Sequence, residues 1–155
     1  MLNTSGNGIA PPMAQQALMR VTVTSQSYIF HRPWQQRRPV TQTAIGAVVP
    51  GGMVLVNGLL VANHRYIELE TLDTHVKQPA RVVVVDYEAN LALLAPLDET
   101  FLDGRRALQL ADRAAVGDRL SVWQVKPNGD VVPSDGRVTS VDLGIYTQSL
   151  SLIHI

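Results

Sequence analysis

Histidine and carboxylate side chains are the main candidates for chemistry in this 155-residue chain, which contains no cysteine. Without cysteine there can be no disulfide framework, thiolate metal site or cysteine nucleophile. His64 could act as a general base with Asp73 or Asp86 as its acid, but only if the strands around it took a suitable register. His75 lies in a polar segment, residues 73–79, that is typical of an exposed turn.

A serine nucleophile and a metal site are both missing from the residue pattern. No Gly-x-Ser-x-Gly or Gly-Asn-Ser-Gly-Gly sequence occurs between Met1 and Ile155. No cluster of His, Asp and Glu has the spacing of metal ligands, and no glycine-rich loop precedes a helix. The sequence therefore implies no cofactor and no metal.

The balance of charge favours a polypeptide as the partner. Thirteen basic and thirteen acidic side chains give a formal charge of zero, which argues against nucleic acid or an anionic membrane as the partner of the whole chain. Residues 28–38 (YIFHRPWQQRR) leave nucleic-acid binding open as an alternative, because aromatic rings can stack on bases and arginines can contact phosphates. No apolar run reaches about 18 residues, and no signal peptide is apparent at the start.

Short runs of β-branched residues predict an all-β fold. The turn signals between them, such as Pro50-Gly51-Gly52, favour an antiparallel barrel or sandwich. We expect the valines of residues 81–85 to lie in the core, and residues 112–116 to form a single helical turn. Eight strands are predicted at residues 18–25, 43–49, 53–56, 66–72, 80–86, 91–95, 119–125 and 137–143.

The two ends of the chain differ in composition from the rest. Residues 1–16 are rich in Gly, Pro, Asn and Ser and predict a flexible lead-in. The last six residues, 150–155 (LSLIHI), match the translation of a transposon-type sequencing adapter. We therefore expect them, including His154, to be an artefact of a truncated reading frame, and a genuine apolar tail is the alternative.

Two segments resemble the HtrA/Deg-like serine proteases of the trypsin-like family. Residues 52–61 (GMVLVNGLLV) follow that family's pattern G-x-(I/V)-L-T-N-x-H-V-V and place Leu59 at the position of the catalytic His. Residues 86–94 (DYEANLALL) follow the pattern D-x-x-x-D-(L/I)-A-L-L and place Asn90 at the position of the catalytic Asp. Both catalytic positions of the amino-terminal lobe are thus replaced.

Further landmarks extend the resemblance over residues 17–147. Residues 108–112 (LQLAD) and 116–120 (VGDRL) are similar to the family's P-L-x-L-G-x-S and V-G-D-x-V, and residues 136–141 (GRVTSV) are similar to S-G-x-V-S-x-(I/V). The chain departs from the family at residues 122–127 (VWQVKP), where a Gly-x-Pro loop on the oxyanion side is expected.

The resemblance implies an antiparallel Greek-key barrel, the amino-terminal lobe of a trypsin-like protease, over residues 17–127. The first strands of a truncated second lobe would follow at residues 128–149. The resemblance also implies that a short helical turn carries Leu59 toward the cleft. The pair Asn57-Gly58, taken alone, would predict a type I′ hairpin instead. We favour the helical turn.

The resemblance has implications for contacts as well. It implies a surface loop in which Tyr28, Phe30 and Trp34 serve as apolar anchors for subunit or lobe contacts. The alternative is a solvated loop with these aromatic rings tucked against the barrel. A homotrimer and a periplasmic or other extracytoplasmic location are implied by the family alone.

The replaced positions decide the expected function. Serine proteolysis needs an imidazole to accept the serine proton and a carboxylate to orient that imidazole, and Leu59 and Asn90 supply neither. We therefore expect a catalytically inactive HtrA/Deg-like homologue that binds polypeptide, including its own second lobe, or supports assembly. The alternatives are a serine endopeptidase with a rearranged triad that uses His64, and an inert scaffold for downstream PDZ domains.

Overall fold

Ten strands and two short 3-10 helices make up the part of the chain that the computed structural model describes, residues 16–126 and 130–141. Of the predicted lead-in, only Gln16 falls within this range, and the suspected adapter tail at residues 150–155 lies outside it. The elements are β1 (Leu18–Ser25), β2 (Tyr28–Ile29), β3 (Arg32–Gln36), β4 (Val40–Val49), β5 (Met53–Asn57), η1 (Gly58–Val61), β6 (His64–Thr71), β7 (Lys77–Asp86), β8 (Leu91–Pro96), η2 (Glu99–Leu102), β9 (Arg119–Val125) and β10 (Val131–Arg137).

Six strands close into an antiparallel barrel in the order β1-β4-β5-β8-β7-β6. Long hairpin ladders join β1 to β4 and β7 to β8, and the pairing of β1 with β6 closes the ring. The jump from β5 to β8, with β7 and β6 following in reverse, gives a Greek-key arrangement. The predicted all-β antiparallel barrel is confirmed.

The core fills the inside of this barrel. Alternate residues of each strand point inward, so Met19, Val21 and Val23 of β1 are fully buried, as are Leu69 of β6 and Leu94 of β8. Burial of one such side chain contributes about 1.5–3 kcal/mol to the free energy of unfolding. The alternation in the sequence therefore sets which side of each strand faces the core.

A β-bulge in β7 overturns the prediction that its valines are all core. Val82 pairs with Leu94 and Val84 with Leu93, so one extra residue stands between them. The bulge shifts the inward-outward alternation by one position. Val83 and Val84 are about half exposed, whereas Val82 and Val85 pack against the core.

Two further predictions near the end of the chain are wrong. The strand expected at residues 137–143 instead lies at Val131–Arg137, because these residues pair with β9, and residues 138–141 are in no strand. Residues 112–116 form no helical turn. The chain instead makes a turn at residues 116–117, where the Asp118 carboxylate accepts a hydrogen bond from the Ala115 N–H at 2.8 Å.

The segment expected to be a surface loop is a β-hairpin that extends from the end of the barrel. We call residues 26–38, which include β2 and β3, the arm. Its base is fixed by the Arg37 N–H, which donates to the Ser27 carbonyl at 2.8 Å, and by the Gln26 N–H, which donates to Asn63 at 3.0 Å. Its aromatic residues are exposed, so the alternative of rings tucked against the barrel is wrong.

The chain after β8 is fastened to the barrel before it reaches β9. Leu102 of η2 is buried in the core, and the Leu108 N–H donates to the Val48 carbonyl at 2.8 Å. The Arg105 guanidinium makes two bonds to the Asp73 carboxylate, at 2.9 and 3.0 Å. Strands β9 and β10 pair in a separate two-stranded sheet. The division predicted between residues 127 and 128 falls between these two strands and stays a prediction.

Candidate functional site

The 3-10 helix η1 positions Leu59. Asn57 precedes it in extended conformation, and its side-chain oxygen accepts from the Leu59 N–H. This is the bonding of a helix cap, and it turns the chain away from the hairpin that Asn57-Gly58 alone would predict. The helical turn implied by the family resemblance is therefore the one observed.

Gly58 allows η1 to lie directly on the turn between β7 and β8. A Cβ atom at this position would stand 3.1 Å from the Leu91 nitrogen, and 3.2 Å from both the Asn90 carbonyl carbon and the Asp86 carbonyl oxygen. These are backbone atoms and cannot swing aside. The Gly58 N–H instead donates to the Asn90 carbonyl at 2.9 Å, which fixes η1 against the turn.

The turn between β7 and β8 positions Asn90. The Asp86 carboxylate accepts from the N–H groups of Glu88 and Ala89, each at 2.9 Å, and so organises the turn. Asn90 then adopts a left-handed backbone conformation with φ of 56°. Asparagine tolerates that conformation better than most residues, and β8 begins directly after it.

A hydrogen bond from the backbone N–H of Leu59 joins Leu59 and Asn90, the residues at the predicted catalytic positions. The Leu59 N–H donates to Asn57 Oδ1 and to Asn90 Oδ1, each at 3.0 Å. The Leu59 side chain is 50% exposed and is a hydrocarbon, so it offers no proton acceptor. The Asn90 carboxamide keeps an acceptor oxygen but carries no negative charge.

His64, the possible substitute base, is not brought into contact with its candidate acids. Its Nδ1 lies 2.8 Å from the Val61 carbonyl, the acceptor for that ring nitrogen. Asp73 is engaged by Arg105, and Asp86 by the backbone of its own turn. The hydrogen bond from Arg105 outweighs the effect of partial burial and lowers the pKa of Asp73.

An ion-pair cluster that the sequence did not predict joins three barrel strands around Glu70, which is buried and only 8% exposed. Its Oε1 lies 3.0 Å from Arg20 Nη1 and 2.9 Å from His75 Nδ1, and Lys77 Nζ lies 3.9 Å from Oε2. Burial raises the pKa of Glu70, but the bond from His75 and the charges of Arg20 and Lys77 outweigh it and lower the pKa. His75 follows an exposed turn, as predicted, yet it has this partner.

The cluster is recognisable only after the strands are paired. Arg20 stands opposite Glu70 in the β1–β6 ladder, and Lys77 stands opposite Glu70 in the β6–β7 ladder. Alternation within β6 alone marks Glu70 only as a charged residue in a strand. The contacts stabilise the barrel rather than form a reactive centre, because every charged member has an opposite charge beside it.

Other kinds of site find no support in the described ranges. Within residues 16–126 and 130–141, no group of three or more His, Asp or Glu side chains could hold a metal ion. No helix of the described part is long and apolar enough to cross a membrane.

A groove of about 440 Å³ lies over Gly51, Gly52, Arg81 and Val83, and its lining does not include Leu59 or Asn90.

The closed Greek-key barrel, with η1 and the β7–β8 turn meeting at Leu59 and Asn90, has the architecture of the amino-terminal lobe of a trypsin-like serine protease. Solved structures agree with this class. An HtrA-type protease, AlgW with a decapeptide, matches with a TM-score of 0.64 and 16% identity over 83% of this chain and 44% of its own. The active form of the Rv3671c protease from M. tuberculosis matches with a TM-score of 0.60 and 18% identity over 82% of this chain and 51% of its own.

The sequence relatives carry the names of Do-like and DegP proteases, a narrower group than the trypsin-like class. A putative protease Do-like 3, mitochondrial, from Arabidopsis thaliana is 30% identical over 139 residues, which are 88% of this chain and 25% of the relative. The chloroplastic protease Do-like 2 of the same plant is 24% identical over 136 residues, 87% of this chain and 22% of the relative. A serine protease DegP homolog from Plasmodium falciparum is 23% identical over 117 residues, 75% of this chain and 13% of the relative.

This chain is a homologue of the HtrA/Deg-like proteases, as its motifs predicted. No protein-family model matches it. The chain spans about a quarter of the length of the first two curated relatives.

Proposed function

We propose that this chain is a catalytically inactive HtrA/Deg-like homologue that binds polypeptide or supports assembly. The observation that carries the proposal is the bond between the Leu59 N–H and Asn90 Oδ1 at 3.0 Å. It joins the two residues that the family motifs align with the catalytic His and Asp. Neither side chain can accept a proton from a serine hydroxyl.

The expected loss of activity is large for either replacement. In subtilisin, removal of the catalytic histidine lowers turnover by about 10⁶-fold, and in trypsin, replacement of the catalytic aspartate by asparagine lowers it by about 10⁴-fold. Leucine at position 59 removes the general base outright. Asparagine at position 90 would fail to stabilise an imidazolium even if a histidine were present.

Polypeptide binding is supported by the surface beside η1. Leu91 pairs with both Asn57 and Asp86, and Val84 pairs with Leu93 on the same outer face. Leu59, Val84 and Leu91 are each about half exposed. A group of exposed apolar side chains of this kind often marks a contact surface. The AlgW structure, solved with a decapeptide, is an HtrA-type relative in fold that accommodates a peptide.

The test is incubation of the chain with fluorescein-labelled unfolded casein, followed by anisotropy and by gel electrophoresis of the casein. We expect a rise in anisotropy with casein left intact. Absence of binding would overturn the polypeptide-binding part of the proposal. Cleavage of casein that the H64A variant abolishes would replace it with the endopeptidase alternative, in which His64 is the base of a rearranged triad.

A further inference from the structure

One face of the arm combines aromatic rings with arginines. Along β3, Arg32, Trp34 and Gln36 share a face, and Tyr28 stands opposite Gln36 on β2. Trp34 is 77% exposed and Tyr28 is 56% exposed. Side-chain hydrogen bonds with Gln36 and Arg65 lower the pKa of the Tyr28 phenol, which shows that Arg65 of β6 reaches this face.

The arm lies in a part of the chain that carries positive charge alone. Residues 1–67 contain five arginines and no Asp or Glu, so all thirteen acidic residues and the other eight basic ones fall in residues 68–155. Arg32, Arg37 and Arg38 of the arm and Arg65 beside it are exposed. None of these four has an ion-pair partner among the described residues.

The backbone of the arm is also open to a partner. The arm is a two-stranded sheet, so β3 pairs with β2 on one side only. All five residues of β3 are exposed. Strand edges of this kind can add an extended peptide through main-chain hydrogen bonds, with alternate side chains of the peptide facing the same surface.

We propose that the arm binds acidic segments of extended polypeptides. Carboxylates of the segment pair with Arg32 and with Arg65 beside the arm, and its apolar side chains pack on Trp34 and Tyr28. Trp, Tyr and Arg are the residues in which binding energy concentrates at protein interfaces. This inference rests on the proposed polypeptide-binding function and assigns part of it to the arm.

Acidic polypeptide is favoured over single-stranded nucleic acid, although both fit arginines beside aromatic rings. The formal charge of the chain is zero, so the acidic half of the molecule would repel a long polyanion beyond the arm. A short acidic segment touches the arm alone. The open edge of β3 can pair with the main-chain N–H and C=O groups of a peptide. An oligonucleotide has no such backbone to pair with it.

The test compares three fluorescent probes by anisotropy with the full 155-residue chain. They are a short peptide rich in Asp, Glu, Leu and Phe, the same peptide with Lys in place of its acids, and an oligothymidine. We expect the acidic peptide to bind at least about tenfold more tightly than the lysine peptide. That preference should weaken as the NaCl concentration rises from about 20 to about 300 mM, because salt screens exposed charges.

Variants locate the site. We expect R32Q and W34A each to weaken binding of the acidic peptide by about tenfold or more. The matched controls are R113Q and L110A, which change exposed residues of similar kind outside the arm, and these should bind like the original chain. Circular dichroism melting curves confirm that all four variants fold.

Each contrary outcome is distinct. Unchanged acidic-peptide affinity in R32Q and W34A overturns the arm as the site and leaves the casein-binding proposal standing. Tighter binding of oligothymidine than of the acidic peptide overturns the choice of partner. If the unaltered chain binds neither the acidic peptide nor unfolded casein, both this inference and the proposed function fail.

Discussion

Asn90 serves two structural roles that are independent of catalysis. Its left-handed backbone ends the turn between β7 and β8, and its side-chain oxygen accepts from the Leu59 N–H. An aspartate could fill both roles equally well, because it has the same shape and also tolerates that backbone. With asparagine rather than aspartate at position 90, this turn lacks the negative charge and keeps the anchoring of η1.

The first prediction concerns the pair of positions 59 and 90. We expect the imidazole introduced by L59H to have a higher pKa in the L59H/N90D double variant than in L59H alone, by about one unit or more. A carboxylate beside an imidazole favours its protonated form, and so raises its pKa. The measurement is an NMR titration of the imidazole protons.

The matched control for that titration is the N90D single variant. It has no imidazole at position 59, so comparison with it identifies the signals that belong to the introduced side chain. Equal values for the introduced imidazole in the two variants would mean that positions 59 and 90 do not form a pair.

At the scale of elements, the six barrel strands were predictable because each has a short β-branched run with an alternating buried face. The barrel strands were anticipated to within a few residues at each end. The bulge at Val83 was not, because it depends on how β7 registers with β8. Strand β10 was missed because Pro133 and Gly136 weaken the strand signal, and only pairing with β9 defines it.

The candidate site, like the fold, could be predicted from the sequence only in part. The motifs identified Leu59 and Asn90, but the shared hydrogen bond between them depends on the φ of Asn90 and on the cap formed by Asn57. Neither can be inferred from residue type alone. For the arm, the sequence predicted a surface loop whose aromatic residues either anchor contacts or tuck against the barrel. Its hairpin depends on the β1–β4 ladder, which ends at Ser25 and Val40 on either side of it.

The second prediction concerns Gly46, which lets β4 lie close to the packed interior. A Cβ at this position would stand 2.5 Å from Val54 Cγ1 and 2.8 Å from Val56 Cγ1. We expect G46A to lower the free energy of unfolding by about 1–3 kcal/mol, because the core must shift to accept the added methyl group. Urea denaturation measures the change.

The matched control is G136A in β10, where a Cβ would meet nothing within 4 Å. This substitution should leave the urea midpoint nearly unchanged. A loss in G136A as large as that in G46A would show that the general effect of alanine in a strand, rather than crowding in the barrel, sets the cost.

For the molecule as a whole, ion pairs at one end of the barrel couple its stability to pH. Glu70 and Asp73 both have pKa values below the ordinary range, because cations bond to their ionised forms. A carboxylate with a lowered pKa stabilises the fold above its unfolded-state pKa of about 4, and this contribution is lost as pH falls through the folded-state value. The barrel should therefore lose stability in acid.

The third prediction follows from that coupling. We expect E70Q to be less stable than the original chain at neutral pH by about 1–3 kcal/mol, because Arg20 loses its partner. We also expect its stability to fall less steeply below about pH 4. Urea denaturation at a series of pH values measures both effects. E88Q, at an exposed turn residue, is the control and should follow the original curve.

The Leu59 N–H donates to two acceptors, Asn57 Oδ1 and Asn90 Oδ1. This amide proton can therefore serve as an internal spectroscopic reporter. Its exchange with deuterium requires both asparagine oxygens to withdraw, so its rate follows the free energy of releasing η1 from its Asn57 cap and from the β7–β8 turn. A peptide that settles beside η1 would slow the exchange and move one cross-peak, while a peptide held only on the arm would leave that cross-peak in place. One amide can thus distinguish a peptide bound beside η1 from a peptide bound on the arm.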